Sequence, residues 1–201
     1  MVRIGFVVEG DTEKIVIESA AFCAWAKSQG IEICSPVVNA EGGGNLLPQN
    51  IIPIISQIRR ANPDRIVILT DLEDAPGIDA VRARIGTEHT DLIFIAVKAI
   101  EAWFLADSTA LRTWLGLADA YEILPEETVG MPWDRLKELA NSKGKREPGL
   151  SKPGFAKKMC EHYGFTIAGA ANHHACPSVK EFHDGMVKLG RLVVGASDET
   201  I

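Results

Sequence analysis

Four short apolar segments, separated by stretches long enough for helices, constrain the fold of this chain more than any other feature of its sequence. Each is dominated by apolar side chains, which is typical of strands buried on both faces of a sheet. Strands that alternate with helix-length segments predict βαβ units, and hence a mainly parallel sheet covered by helices on both sides. The four segments are residues 2–8 (VRIGFVV), 31–38 (IEICSPVV), 65–70 (RIVILT) and 91–97 (DLIFIAV).

The helical segments divide the chain into two parts. Up to about residue 98 they alternate with the predicted strands, and beyond it the strand pattern stops. We therefore expect an α/β domain over residues 1–110 and a helical extension packed on it over residues 111–201. The predicted helices are 12–29, an apolar stretch ending near Ala61, 78–87, 99–115 as one helix or two, 133–141, one ending near His162, and one opening with a capping box from Ser178 to Glu181.

The overall charge and the cysteines restrict the class of protein. The chain has 201 residues and a net charge of −6, so contact with nucleic acid requires a local basic patch rather than a global field. The four cysteines are scattered, which favours reduced thiols over a disulfide framework. The sequence shows neither a signal-peptide pattern nor an apolar stretch of membrane-spanning length. We therefore expect a soluble cytoplasmic protein without a membrane partner.

Acidic side chains follow two of the predicted strands. Glu9 comes directly after the first strand, and Asp71, Glu73 and Asp74 follow the third. The carboxyl ends of parallel strands meet at one edge of a sheet, and the first and third strands are neighbours if the second lies outside the first. Carboxylates held close together repel one another unless a cation offsets their charge, and their oxygens suit magnesium. The sequence therefore predicts a Mg²⁺ (or Mn²⁺) site formed by these four residues.

Further acidic and basic side chains near the same edge have two interpretations each. Glu13 either caps the first helix or shares a helical face with Glu9. Lys98 either holds a phosphate or pairs with the carboxylates, and Glu101 and Asp107 are either further ligands or parts of a salt-bridged helix start. The acidic run after residue 70 has an alternative too, since a solvated turn is common ahead of a Pro-Gly pair.

One region, residues 142–158, concentrates positive charge. On an acidic protein such a patch suits a nucleic-acid backbone, although many charge runs are simply solvated surface. Aromatic residues are sparse there, so the sequence gives only weak support for base stacking and none for sequence-specific recognition. The candidate nucleic-acid-binding residues are Lys143, Lys145, Arg146, Lys152, Lys157 and Lys158.

Two other groups of residues, a glycine-rich loop and a set of cysteines and histidines, each have a structural and a functional interpretation. The loop NAEGGGN, residues 39–45, is interpreted as a flexible loop first and as a phosphate contact second. A zinc site is the alternative for a set of cysteines and histidines whose spacing fits no common zinc finger. That set is Cys160, His162, His173, His174 and Cys176.

The order of these motifs resembles a known fold. The segments VVEGDTE, VILTDLED, KAIEAWFLAD and CPSVKEF are similar to those of a bacterial family of TOPRIM-like proteins related to OLD-type nucleases. The resemblance implies a three-layer α/β domain with a mainly parallel central sheet. It makes Glu9 a metal ligand or general acid/base and Asp71 and Glu73 the metal-binding pair, with Glu73 in place of the usual aspartate. Asp74 is then an auxiliary ligand or takes the part of Glu73.

The same resemblance implies a function. It indicates Mg²⁺-dependent phosphodiester hydrolysis or transfer on DNA or RNA, and it also implies an ABC-type ATPase as a partner protein. Two other classes of function remain open. One is a non-catalytic subunit that binds nucleic acid or a partner, and the other is a small-molecule phosphotransferase or phosphatase that uses the same acidic edge.

Overall fold

A five-stranded parallel sheet with helices on both faces forms the centre of the molecule in the computed structural model, which describes residues 1–191. The strands are β1 (Val2–Val8), β2 (Ile31–Ile33), β3 (Val38–Asn39), β4 (Arg65–Asp71) and β5 (Leu92–Ala96). The α-helices of this part of the chain are α1 (Asp11–Glu18), α2 (Ala20–Ser28), α3 (Ile52–Arg59), α4 (Ile78–Ile85), α5 (Glu101–Ala106), α6 (Ser108–Leu115), α7 (Pro132–Ser142), α8 (Lys152–Glu161), α9 (Ile167–Ala171) and α10 (Pro177–Arg191). Within residues 1–191, no helix combines the length and the apolarity that crossing a membrane requires.

The strand order places the two acidic strand ends side by side. Strand β1 lies between β4 on one side and β2 and β3 on the other, and β5 follows β4. The β1–β4 pair is parallel, with Val8 opposite Leu69. The residues that follow these two strands therefore emerge at the same edge, and the predicted adjacency of the first and third apolar segments is confirmed.

Both faces of the sheet are buried, as the continuous apolar segments predict. Successive side chains of a strand point to opposite faces, and Phe6 and Val8 of β1 join a large core that includes α1, α2, α5 and α10. Val7 of β1 and Ile68 of β4 join a smaller core with α3 and α4. The mainly parallel, three-layer α/β arrangement follows from this alternation.

Three predicted elements are divided in the structure. The helix expected over 12–29 breaks at Ser19, whose backbone is extended and whose hydroxyl accepts a hydrogen bond from the Phe22 amide at 3.2 Å. The strand expected over 31–38 is split around Pro36, which has no N–H to donate to a strand ladder. The segment 99–115 forms two helices that meet at Asp107. Each break coincides with a residue that caps a helix or cannot continue a strand.

The start of α10 differs from the predicted capping box. The Ser178 hydroxyl accepts a hydrogen bond from the Trp103 indole at 2.8 Å, and Glu181 forms an ion pair with Arg82. Most of the apolar residues of this helix, with Phe182 at their centre, are buried. Both side chains that the sequence assigned to a helix cap therefore contact other helices instead.

The helices after residue 110 share a core with the sheet. Residue 110 lies inside α6, and buried residues from both sides of it belong to one apolar cluster. Helix α8 packs against α1, and α10 packs against β5. The final residues of the predicted extension, 192–201, lie outside the described part of the chain.

Candidate active site at the carboxyl ends of the strands

Glu9 is fixed in place by backbone amides. One carboxylate oxygen, Oε1, accepts a hydrogen bond from the Gly43 N–H at 3.1 Å. The other, Oε2, accepts from the Asp71 N–H at 3.1 Å and from the hydroxyl of Thr70, which is fully buried in β4. The glycine-rich loop closes over this carboxylate, and a Cβ at Gly43 would lie 3.1 Å from Oε1. Three hydrogen-bond donors therefore fix the position of the Glu9 carboxylate.

Asp71 is the last residue of β4 and stands next to Glu9. Its Oδ1 accepts a hydrogen bond from the Ile100 N–H at 2.9 Å, while Oδ2 has no protein donor among the described residues. Burial raises the pKa of Asp71 well above its usual value, and the charges of Glu13, Glu101 and Glu9 raise it further. Carboxylates held close together raise one another's pKa in this way.

Glu13 both caps the first helix and lies near Glu9, the two roles that its position in the sequence allowed. Its Oε2 accepts a hydrogen bond from the Gly10 N–H at 3.0 Å, so it closes the start of α1. Only 4% of the residue is exposed, and it lines the same cleft as Glu9 and Asp71. Burial raises its pKa from 4.5 to about 7, with further contributions from Glu101 and Glu9. The carboxyl group therefore exchanges protons near neutral pH.

Glu101 adds a fourth carboxylate from the start of α5. The residue is 1% exposed, and its Oε2 lies 3.3 Å from Nζ of Lys152. Burial raises the pKa of Glu101, and the nearby ammonium group partly offsets that effect. Lys152, predicted as part of a nucleic-acid-binding surface, is thus directed into the cleft by α8.

The cleft has a volume of about 520 Å³. Among the described residues, the side chains that line it include six carboxylates and a single lysine. Such a set of hard oxygen atoms suits Mg²⁺ or Mn²⁺ chemically. Within residues 1–191, no group of three or more His, Cys, Asp or Glu side chains stands close enough together to enclose a metal ion directly. Magnesium sites in proteins commonly use only one or two protein carboxylates together with several waters. The charged residues of the cleft are Glu9, Asp11, Glu13, Glu41, Asp71, Glu101 and Lys152.

Two of the predicted metal ligands lie outside the cleft. Glu73 and Asp74 are exposed, and neither lines the cleft. Glu73 has a left-handed backbone with φ of 48°, and its N–H donates to the Lys98 carbonyl at 2.8 Å. The backbone therefore turns away immediately after Asp71, whereas an extended chain would have aimed Asp71 and Glu73 in the same direction.

Lys98 and Asp107 also have partners elsewhere. The Lys98 ammonium group donates to the carbonyls of Thr128 and Gly130, the second at 3.0 Å, and so anchors a loop of the helical part. Asp107 is 1% exposed and caps α6, with Oδ1 accepting from Thr109 and Ala110 N–H at 3.1 Å each. Its Oδ2 accepts from the Thr166 N–H at 3.0 Å. Asp107 is therefore committed to joining α6 to the start of α9.

The candidate zinc ligands have separate partners. The Cys176 thiol donates to Glu126 Oε1 at 3.2 Å, and burial raises the pKa of that thiol. His173 Nε2 lies 2.8 Å from the carbonyl oxygen of Glu122. The described residues bring none of these side chains together as a metal-binding group.

The structural roles of three residues in or next to the cleft were not predicted from the sequence. Gly43 was considered as a phosphate contact, yet its amide holds Glu9. Lys152 is 51 residues from Glu101, and no local pattern signals that pairing. Thr70 did give a signal, because it is a polar residue at the end of an otherwise apolar strand, next to Asp71.

Comparisons with known proteins give a family but no activity. Residues 8–187 match the model of the family described as Domain of unknown function (DUF4276). The matched range covers both the sheet and most of the helical part of the chain. No curated protein and no solved structure matches the chain.

Proposed function

The chain belongs to the DUF4276 family, and from the chemistry of its acidic cleft we propose that it is a Mg²⁺- or Mn²⁺-dependent phosphodiesterase that acts on nucleic acid. The proposal includes a TOPRIM-like identity for the α/β part, based on the motif order VVEGDTE and VILTDLED. It also includes a cytoplasmic location and an ABC-type ATPase as a possible partner protein.

The observation that carries the proposal is the convergence of carboxylates at one edge of the sheet. Glu9 and Asp71 are partly buried at adjoining strand ends, and the buried Glu13 and Glu101 lie beside them. Glu9 and Asp71 are in contact through the hydrogen bond from the Asp71 N–H to Glu9 Oε2, and the charges of Glu13 and Glu101 act on Asp71. Burying several like charges is unfavourable unless protons or a cation neutralise them. A cluster of this kind at the ligand-binding edge of a parallel sheet supports a functional cation site.

The residues of the cleft have distinct roles in this proposal. Glu9 and Asp71 would hold the divalent cation. Such an ion, when bound, activates water and offsets the charge that develops on a phosphate. Glu13, whose carboxyl group lines the same cleft, can accept or donate a proton as a general acid/base. Lys152 can contact a phosphate oxygen, and its contact with Glu101 directs its ammonium group into the cleft.

The proposal is tested by the nicking of supercoiled plasmid DNA and the cleavage of RNA in Mg²⁺ or Mn²⁺. Asp71→Asn is the most suitable variant, because the asparagine oxygen can still accept the Ile100 N–H while the charge is lost. We expect a loss of roughly 100-fold or more in rate for Asp71→Asn. The exposed Asp119, which is not among the residues lining the cleft, provides the matched control Asp119→Asn, and this variant should keep full activity.

Several outcomes contradict or redirect the proposal. Cleavage that persists in EDTA, or that is equally fast in Asp71→Asn, rules out a cation-dependent reaction at this cleft. Binding of nucleic acid without cleavage, with and without an ATPase partner, favours a non-catalytic subunit. Hydrolysis of a small phosphoester with no effect on polynucleotides favours a phosphatase.

A further inference from the structure

A small cavity lies among the helices, and none of its lining residues belongs to the acidic cleft. Its volume is about 180 Å³, below the roughly 300–1,000 Å³ of sites that enclose a whole small molecule. It therefore has room for one chemical group rather than a complete ligand. We refer to it as the aromatic–basic cavity, and its main lining residues are Trp114, Arg146, Phe155, Lys158, His162 and Tyr163.

One wall of the aromatic–basic cavity is aromatic. Trp114 is half-buried, and its ring packs against Phe155 in a T-shaped arrangement, with a centroid distance of 4.8 Å and an angle of 69°. Phe155 is only 1% exposed and is held in turn by Trp133 at 5.8 Å. Tyr163 is half-buried and lines the same space. The Trp114 indole is thus held by its neighbours while it lines the cavity, and a flat ring can stack on such a surface.

The rest of the aromatic–basic cavity is mainly positive. Arg146 and Lys158 are exposed, and within residues 1–191 neither has a carboxylate at ion-pair distance. The neighbouring Lys157, by contrast, lies 3.9 Å from Glu161. Glu147 also lines the cavity, but its Oε1 accepts a hydrogen bond from the Asn141 side chain at 2.7 Å. Two unpaired cations beside an aromatic platform, on a chain with a net charge of −6, suit an anionic ligand that carries flat rings.

We infer that the aromatic–basic cavity binds one unpaired base of a single-stranded nucleic acid, stacked on Trp114, with the adjoining phosphates at Arg146 and Lys158. The combination of stacking surface and backbone cations is the general mode of single-strand binding. The inference rests on the proposed function and deepens it, because it names single-stranded DNA or RNA as the substrate class.

Helix α8 connects the cavity to the acidic cleft. It carries Lys152 in the cleft and Lys158 in the cavity. Six residues of helix correspond to about 9 Å along its axis and, at 3.6 residues per turn, to directions about 120° apart around it. A strand whose base occupies the cavity would therefore have to pass part of the way around α8 to reach the carboxylates.

Fluorescence anisotropy of a labelled single-stranded oligonucleotide, measured in EDTA, tests the inference without requiring cleavage. Trp114→Leu should weaken binding roughly tenfold, in line with the loss of one stacked base. Trp25→Leu is the matched control, since Trp25 is also a half-buried helical tryptophan but lies against His183, away from this cavity. Trp114→Phe should restore most of the affinity, and circular dichroism verifies that each variant is folded.

A second pair of variants tests whether the cations of the cavity contribute to binding. Both substitutions are at exposed positions, where folding should be unaffected. Lys158→Ala should weaken binding and reduce its salt dependence, whereas Lys157→Ala, one residue away and outside the cavity, should change it less. An oligonucleotide with abasic sites should bind wild type about as weakly as the normal oligonucleotide binds Trp114→Leu. Duplex DNA of the same sequence should bind more weakly than the single strand.

Defined results overturn the inference. These are the absence of oligonucleotide binding by wild type, equal affinity of Trp114→Leu and Trp25→Leu, or equal binding of abasic and normal strands. If base-dependent binding is found but plasmid and RNA are not cleaved, the inference stands and the proposed catalytic function fails. If cleavage depends on Asp71 but Trp114 has no effect on binding, the proposed function stands and the inference fails.

Discussion

Glu13→Gln should stabilise the protein at neutral pH, although it removes a buried group with a native hydrogen bond. The folded protein binds the Glu13 proton more tightly than the unfolded chain, because the pKa rises from 4.5 to about 7 on folding. The free energy of unfolding therefore falls as the pH rises through this range and stays lower above it. The difference in pKa between the folded and the unfolded protein corresponds to about 3 kcal/mol in the free energy of unfolding. Glutamine keeps an oxygen for the Gly10 N–H and carries no charge.

Urea unfolding at a series of pH values measures this effect. Above pH 7, Glu13→Gln should be more stable than wild type by up to about 3 kcal/mol, and below pH 4.5 the two should agree closely. Glu127→Gln, which changes an exposed glutamate, should show no such pH dependence. Equal pH profiles for Glu13→Gln and wild type, or a less stable variant above pH 7, would refute the account of a charge-strained cleft.

Three further predictions concern packing, capping and cation linkage. Gly190→Ala should lower the free energy of unfolding by about 2 kcal/mol or more, because an added Cβ would lie 1.9 Å from the Gln29 carbonyl oxygen. An added Cβ at Gly130 would have no atom within 4 Å, so Gly130→Ala should leave the free energy of unfolding, measured in urea, nearly unchanged. Asp107→Asn should lower the free energy of unfolding by about 2 kcal/mol, because the new side-chain NH₂ group would face the Thr166 N–H, which is also a donor. The cleavage rate per folded molecule should not change. Mg²⁺ should raise the melting temperature more above pH 7 than below pH 4.5, because protons compete for the same carboxylates; an equal rise at both pH values would contradict this.

The arrangement of the sheet was predictable because it depends on long apolar segments. Strands that are buried on both faces need continuous hydrophobic runs, and the lengths of the intervening segments favour parallel pairing. The neighbouring positions of β1 and β4 match the doubly wound order, in which the second strand lies outside the first. Glu9 and Asp71 could therefore be placed together from the sequence alone.

The rest of the cleft depends on features that local patterns do not encode. Glu73 itself has a left-handed backbone, and its side chain lies outside the cleft. An extended chain would have directed that side chain inward with Asp71. Lys152 reaches Glu101 only because α8 packs against α1 in the folded protein. Gly43 contacts Glu9 across 34 residues of sequence. Such long-range contacts are set by the packing of whole elements rather than by the residues nearby.

The central claim is that the carboxylates at the ends of β1 and β4 bind a divalent cation. Anomalous scattering from crystals grown in Mn²⁺ locates such an ion directly. The account predicts a peak in the cleft, next to the carboxylates of Glu9 and Asp71, that is absent from crystals of Asp71→Asn. A cleft without anomalous density in millimolar Mn²⁺, or a peak located only at other acidic residues, would contradict it.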